Sequence, residues 1–139
     1  MLTEARRRIR ADKKLSGPTL KTRLDLVRLD VGQIPMQDAS VDCLHAGAAM
    51  HCWPDLDIAM SEIYRALKPG GRYFATTFLS TYFATLQATD GASEPSQQAF
   101  QYFKSVNSLR ELVEGGGFKK ENITIEVLGT SCVVIRAEK

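Results

Sequence analysis

The sequence predicts an α/β fold in which helices cover a single sheet whose last two strands are antiparallel. Apolar spacing switches repeatedly between the helical and the strand period along the 139 residues. A Pro-Gly-Gly step separates a helical segment from a strand-like run in the middle of the chain, and two β-branched runs close the sequence around a three-residue turn. Apolar residues make up 44% and charged residues 24%, which is typical of one globular domain.

The amino-terminal half begins with a short basic helix, predicted over residues 2–14 and ended by Ser16-Gly17-Pro18. A strand is then expected at 24–29, running directly into Asp30, and a second strand at 41–46. An irregular segment rich in turn formers joins them. Because it follows a predicted strand, Asp30 is expected at the mouth of the sheet.

The next helix is predicted over Pro54 to Leu67, where apolar residues recur at helical spacing. Asp55 and Asp57 lie in its first turn, and Arg65 and Lys68 in its last, an arrangement that favours the helix dipole. Pro69-Gly-Gly71 should end this helix and lead into a strand of aromatic and β-branched residues at 72–79.

The carboxyl-terminal part is expected to hold one more helix and two strands. The helix is predicted at 108–114, with Asn107 or Ser108 as its cap and Gly115-Gly-Gly117 as its stop. Strands follow at 123–128 and 132–137. Together these elements predict an antiparallel closing pair.

Composition excludes several classes of protein. No apolar run approaches the roughly 18 residues needed to span a bilayer, and the basic start lacks the apolar segment of a secretory signal. Cys43, Cys52 and Cys132 are an odd number without metal-ligand spacing. We expect reduced thiols, an intracellular protein and no metal site.

The formal charge of +2 hides a basic amino-terminal stretch, since residues 1–23 hold eight Lys or Arg against two acids. Such a stretch could contact phosphates. It could equally be the solvated face of a helix, because Leu2, Ala5 and Ile9 follow helical spacing with the charges turned outward. No aromatic residues interleave with the charges as a base-stacking surface requires, so a nucleic-acid partner is not expected.

Three segments carry a family resemblance when they are taken together in this order and spacing. They are Val27-Arg-Leu-Asp-Val-Gly-Gln-Ile-Pro-Met-Gln-Asp-Ala-Ser-Val-Asp-Cys-Leu44, His45-Ala-Gly-Ala-Ala-Met-His-Cys-Trp-Pro-Asp55 and Ser61-Glu-Ile-Tyr-Arg-Ala-Leu-Lys-Pro-Gly-Gly-Arg72. The pattern resembles class I S-adenosylmethionine-dependent methyltransferases, and within them the plant and algal ubiquinone/menaquinone-biosynthesis type. The similarity covers residues 1–139, weakly at 80–106. It implies a Rossmann-like sheet, S-adenosylmethionine as cofactor and a small-molecule methyl acceptor, for example a quinone-like ring.

The resemblance implies that Asp30 and Val31 bind the adenine ring, with the amides of Val31 and Gly32 donating to ring nitrogens. Physical reasoning supports this placement, because open α/β sheets bind ligands at the carboxyl ends of their strands. The alternative is that Asp30 only caps a turn.

The next site residues are also implied by the resemblance. Ala46 and Gly47 follow the second strand and would face the methionine part of the cofactor, where small residues permit close approach of the backbone. Close packing of strand on helix is the alternative. His51 is the candidate catalytic residue, as a general base at neutral pH or as a residue that only shapes the pocket. Trp53 is interpreted as a packing anchor.

Residues 80–107 form a candidate acceptor-binding insert within one partial methyltransferase domain at 1–139. Aromatic side chains in it could line an apolar acceptor pocket, and the two phenylalanines nearest its end could instead be core residues of an ordinary helix. The residues are Tyr82, Phe83, Phe100, Tyr102 and Phe103. Glu62 and Arg65 are interpreted as determinants of the fold.

The family's Gly-x-Gly-x-Gly loop after a strand has no counterpart here, since Gly115-Gly-Gly117 follows a predicted helix. The resemblance therefore implies a sheet truncated at its amino terminus, either with the strands at 24–29 and 41–46 closing against each other or with unpaired edges. We expect self-association or a partner chain.

The alternative function is a non-catalytic, methyltransferase-like fragment that acts only through association. Plant-like relatives suggest a plastid.

Overall fold

The computed structural model describes residues 2–12, 26–80 and 103–139, and the chain divides into two compact units, Met1–Asp30 and Val31–Lys139. In the first unit, helix α1 spans Leu2–Ala11. The Glu4 carboxylate accepts hydrogen bonds from Arg7 at 2.7 Å and Arg8 at 2.9 Å. Ala5 and Ile9 are half-buried while the arginines are exposed, as the helical spacing predicted. The helix ends at Ala11 and Asp12 is not helical, so the prediction of a helix reaching residue 14 is too long; residues 13–14 themselves lie outside the described residues.

The prediction of a strand at 24–29 is wrong for residues 26–29, the part of this segment that the structure describes. Residues 26–29 form no strand, and Asp30 lies in an isolated bridge. Val27 is 57% exposed and Leu29 46% exposed, so the alternating pattern does not bury an apolar face here. A strand is stabilised by its hydrogen-bonded neighbours, and alternation alone does not supply one. The expected closing of this segment against 41–46 is therefore not observed.

The second unit contains one four-stranded sheet in the order β1-β2-β4-β3. The pair β1–β2 is parallel, whereas β2–β4 and β3–β4 are antiparallel. Its elements are strand β1 (Val41–Gly47), a 3-10 turn (Met50–Cys52), helix α2 (Leu56–Ala66), strand β2 (Leu67–Phe78), helix α3 (Val106–Gly115), a 3-10 turn (Lys120–Asn122), strand β3 (Ile123–Leu128) and strand β4 (Cys132–Glu138). The α/β class and the antiparallel closing pair are confirmed.

Helix α2 begins where Asp55 caps it, because the Asp55 carboxylate accepts a hydrogen bond of 2.9 Å from the amide of Ile58. The helix ends at Ala66, and β2 begins at once, five residues earlier than predicted. The reason is a shift of register between β1 and β2, which absorbs Pro69–Gly71 into an irregularity of the strand.

Helix α3 is capped by Ser105, and neither Asn107 nor Ser108 is its N-cap. The Ser105 hydroxyl accepts a hydrogen bond of 3.1 Å from the amide of Ser108, and the Ser108 hydroxyl interacts in return with the Ser105 amide at 3.3 Å. Ser108 is thus the third residue of a reciprocal capping box.

The hydrophobic core lies between the two helices and one face of the sheet. Tyr73 and Ala75 on β2 and Ile135 on β4 point into this layer, where they meet buried side chains of both helices. The helix residues are Met60, Ile63 and Ala66 on α2 and Leu109 and Val113 on α3. No helix in the described ranges is long and apolar enough to cross a bilayer.

Candidate cofactor site at the carboxyl end of β1

The segment that follows Asp30 is a turn anchored to the core. Asp30 is exposed, and Val31 and Gly32, which form the turn, are half-buried. Val31 packs against the core cluster, and Ile34 belongs to it with 8% of its surface exposed. The Ile34 side chain therefore fixes one end of a short loop whose start carries the residues expected to bind adenine.

Glu62 and Arg65 on α2 hold this loop from the helix side. The Arg65 guanidinium donates two hydrogen bonds to the Glu62 carboxylate, at 2.7 and 2.8 Å. It also donates to the Ile34 carbonyl at 2.9 Å, and the Glu62 carboxylate accepts from the Ile34 amide at 2.9 Å. The guanidinium beside Glu62 holds the pKa of that carboxyl below its usual value. These contacts support the interpretation of both residues as determinants of the fold.

The carboxyl end of β1 brings Ala46, Gly47 and Ala48 to the rim of the sheet. Ala46 is buried and belongs to the hydrophobic core, so only its backbone can face a ligand. Gly47 is exposed on the opposite face, and a Cβ there would lie 3.1 Å from Cε1 of His45. The small Ala46 side chain is thus explained by close packing in the core, which was the alternative to a ligand contact. A glycine here fits a backbone that a ligand approaches closely.

Ala48 and Thr76 were not predicted as site residues. Ala48 has a φ of 47°, in the left-handed region that alanine rarely adopts, and strained backbone of this kind is concentrated at functional sites. Its amide donates to the Thr76 hydroxyl oxygen on β2 at 2.9 Å. Asn or Gly at position 48 would have signalled the conformation, whereas alanine gives no sequence signal.

His51 lies in the 3-10 turn after β1, with 9% of its surface exposed. Its ring meets that of Phe78, at the end of β2, edge-on with 5.8 Å between centroids. Burial lowers the pKa of His51 below 6.5, because the charged ring loses hydration. The imidazole is therefore neutral at neutral pH. Trp53, two residues on, packs against the core as expected of an anchor.

Most of the candidate acceptor insert lies outside the described residues, including Tyr82, Phe83, Phe100 and Tyr102. Phe103 is described and is buried in the hydrophobic core. Its carbonyl accepts from the amide of Ser80 at 2.9 Å, and it forms a parallel bridge with Leu79. Phe103 is thus a core residue, as one alternative expected, but it lies in a bridge and not in a helix.

The fold and the order of these segments along the chain define a class of protein. A family model described as a methyltransferase domain matches residues 1–75, which is more than half of the chain. The chain belongs to this family of S-adenosylmethionine-dependent methyltransferases. S-adenosylmethionine is the cofactor of the family, as the resemblance implied.

Two curated relatives show how the similarity is distributed. An uncharacterised chloroplastic methyltransferase of Arabidopsis thaliana is 52% identical over 59 residues, covering 42% of this chain and 17% of its own length. Demethylmenaquinone methyltransferase of Lactobacillus johnsonii is 30% identical over 153 aligned positions, covering 93% of this chain and 60% of its own length. The chain therefore spans less than two thirds of the curated relatives that it matches.

A solved structure agrees on the fold. The S-adenosylmethionine-dependent methyltransferase of Mesorhizobium loti superposes with a TM-score of 0.69 at 16% identity, over 100% of this chain and 76% of its own. At such an identity the likeness establishes the architecture, and function has to be argued from the site itself.

Proposed function

We propose that this chain binds S-adenosylmethionine at the segment that follows Asp30 and takes part in transfer of its methyl group to a small acceptor. The observation that carries the proposal is the family match over residues 1–75, which includes the anchored loop and the end of β1. Bound there, the cofactor supplies an electrophilic methyl group, and catalysis of its displacement depends mainly on positioning.

Each candidate residue has a role of its own in the proposal. The exposed Asp30 carboxylate accepts from the adenine amino group, and the amides of Val31 and Gly32 donate to ring nitrogens. The backbone of Ala46 and Gly47 lies against the methionine part. These residue types fit the group, since they offer one acceptor, two main-chain donors and no bulky side chain.

Calorimetric titration with S-adenosylmethionine tests the binding step. We expect micromolar affinity for the chain and at least a tenfold loss in Asp30→Ala, since removing one charge-assisted hydrogen bond costs about 1.5–3 kcal/mol. Asp57→Ala is the matched control, because Asp57 is an exposed aspartate in the first turn of α2. Absence of any binding heat in the unmodified chain would refute the proposal.

His51 is proposed as a general base for acceptors that must lose a proton. The buried, neutral imidazole is the form that accepts protons, which supports this role. The acceptor is proposed to be a quinone-like ring, because one relative is named for demethylmenaquinone. His51→Gln should keep cofactor affinity and lower the rate of methyl transfer to a naphthoquinol. An unchanged rate would leave His51 as a packing residue.

The outer edge of β1 supports a proposal on assembly. Within the described sheet, β1 has a neighbour on one side only. Unpaired edges of this kind recruit other strands, so we propose that two copies of the chain associate along β1. Light scattering at micromolar concentration should give a dimer, and a clean monomer would contradict the proposal. In the alternative, a non-catalytic fragment, such pairing would be the whole activity. Methyl transfer by the chain would exclude that alternative.

A plastid location is also proposed, on the likeness to the chloroplastic Arabidopsis protein. Fluorescence microscopy of the full natural protein, tagged at its carboxyl terminus, should show the tag in plastids. A uniform cytosolic signal would contradict this location.

A further inference from the structure

We infer that Arg65, together with Glu62, is a positioning residue for the cofactor: it holds residues 31–38 in the conformation that presents the Val31 and Gly32 amides. The inference rests on the proposed function and deepens it. Neither side chain is assigned a contact with the cofactor, so each acts through the loop.

All five N–H donors of Arg65 are occupied, four of them by the contacts with Glu62, Ile34 and Met36. The Met36 carbonyl accepts from Nη1 at 2.9 Å, and the Asp38 carboxylate takes the fifth donor at 2.6 Å. A guanidinium has five donors in a rigid fork, which is the geometry used here. One side chain thus ties the helix to three points of the loop, at residues 34, 36 and 38.

Ile34 is the point where the loop is held most firmly. Its amide donates to Glu62, its carbonyl accepts from Arg65, and its side chain lies in the hydrophobic core. The same carbonyl accepts from the amide of Met36 at 2.8 Å. Further along, the amide of Ala39 donates to the Arg65 carbonyl at 3.0 Å, which fixes the far end of the loop on the same turn of α2.

This arrangement bears on affinity because main-chain amides bind a ligand well only when their direction is already set. Ordering a loop during binding costs conformational entropy, and a loop ordered beforehand avoids that cost. Lysine at position 65 would keep the charge but lose the planar fork. We therefore expect the loop to loosen in Arg65→Lys while the helix and the sheet stay folded.

Two measurements on the same variants test the inference. In the cofactor-free chain, hydrogen exchange of the Ile34 and Met36 amides should quicken in Arg65→Lys, with amides inside β2 unchanged. Calorimetry with S-adenosylhomocysteine should give a dissociation constant raised about tenfold, because the loosened loop would have to be ordered during binding. Asp38→Asn, which touches only the exposed arm of the network, should give a smaller rise.

Lys68→Met is the control, since it removes a similar ion pair, with Asp42 at 2.6 Å, that does not touch the loop. Faster exchange throughout the second unit of Arg65→Lys would indicate general destabilisation and overturn the inference. If Arg65→Lys and the unmodified chain bound S-adenosylhomocysteine with equal affinity, the inference would be overturned while the proposed function would stand. No binding by the unmodified chain would instead overturn the proposed function, and with it the claim on affinity.

Discussion

The amide of Ala48 donates a hydrogen bond to the hydroxyl of Thr76 across the carboxyl ends of β1 and β2. The bond lies where the chain leaves β1 through a left-handed residue and turns toward the 3-10 segment that carries His51. Thr76 therefore helps to hold a conformation that the Ala48 side chain disfavours. The direction of the backbone at the candidate site depends on this pair.

Ala48→Gly should stabilise the protein, because glycine adopts a positive φ without steric cost. We expect the free energy of unfolding to rise by about 0.5–1 kcal/mol in urea titration. Ala59→Gly, a buried position inside α2, is the matched control and should lose at least about 1 kcal/mol. A loss of stability in Ala48→Gly would show that the strain at position 48 is not relieved by glycine.

Gly115, the last residue of α3, and Gly117, two residues beyond it, should respond differently to alanine. Gly117 has a φ of 116°, and a Cβ there would lie 2.9 Å from the Tyr64 ring. Gly117→Ala should therefore lower the free energy of unfolding by about 1–3 kcal/mol, the range for backbone strain. Nothing lies within 4 Å of a Cβ at Gly115, so Gly115→Ala should cost nothing. Equal melting temperatures for the two variants would be inconsistent with this packing.

Tyr73→Phe should leave stability unchanged or increase it. Tyr73 is 1% exposed, and its hydroxyl has no hydrogen-bond partner within 2–12, 26–80 and 103–139. A buried hydroxyl without a partner costs about 1–3 kcal/mol, which phenylalanine would remove without changing the shape of the core. Burial also raises the pKa of the Tyr73 phenol, so its absorbance should not titrate before the protein unfolds. A clear loss of stability in Tyr73→Phe would reveal a partner for the hydroxyl.

Stability should fall on mild acidification because of His51. Its pKa is lowered by burial, so the unfolded chain binds a proton more readily than the native one. The free energy of unfolding is then highest at neutral pH and decreases as the pH falls below 6.5, the unperturbed value. His51→Gln should flatten the dependence between pH 7 and 5, whereas the exposed His45 serves as a control in His45→Gln. Identical pH profiles for all three proteins would contradict the burial of His51.

The elements that could be predicted from sequence are those whose signals are local. Strand β3 has the predicted bounds, because its alternation and β-branched residues coincide with a real partner strand. The predicted strand at 24–29 has a similar pattern, but residues 26–29 have no ladder. The alternation of apolar and polar residues indicates which face of a strand would be buried, but hydrogen bonding to a neighbouring strand decides whether the strand forms.

The long-range parts of the candidate site could not be predicted in this way. Glu62 and Arg65 were identified as determinants of the fold, yet nothing local indicates that Arg65 reaches 31 residues back to Ile34. The cap at Ser105 was missed because two serines three residues apart exchange hydrogen bonds, and either could open a helix. Thr76 acquires its partner only when the two parallel strands are side by side.

Amide chemical shifts during titration with S-adenosylhomocysteine test the central claim most directly, because they locate the bound molecule on the chain. We predict that the amides of Val31, Gly32 and Gly47 shift with a common micromolar dissociation constant, while amides on the exposed side of α3, such as that of Glu111, do not. Shifts confined to other parts of the chain, or none at millimolar ligand, would contradict the account.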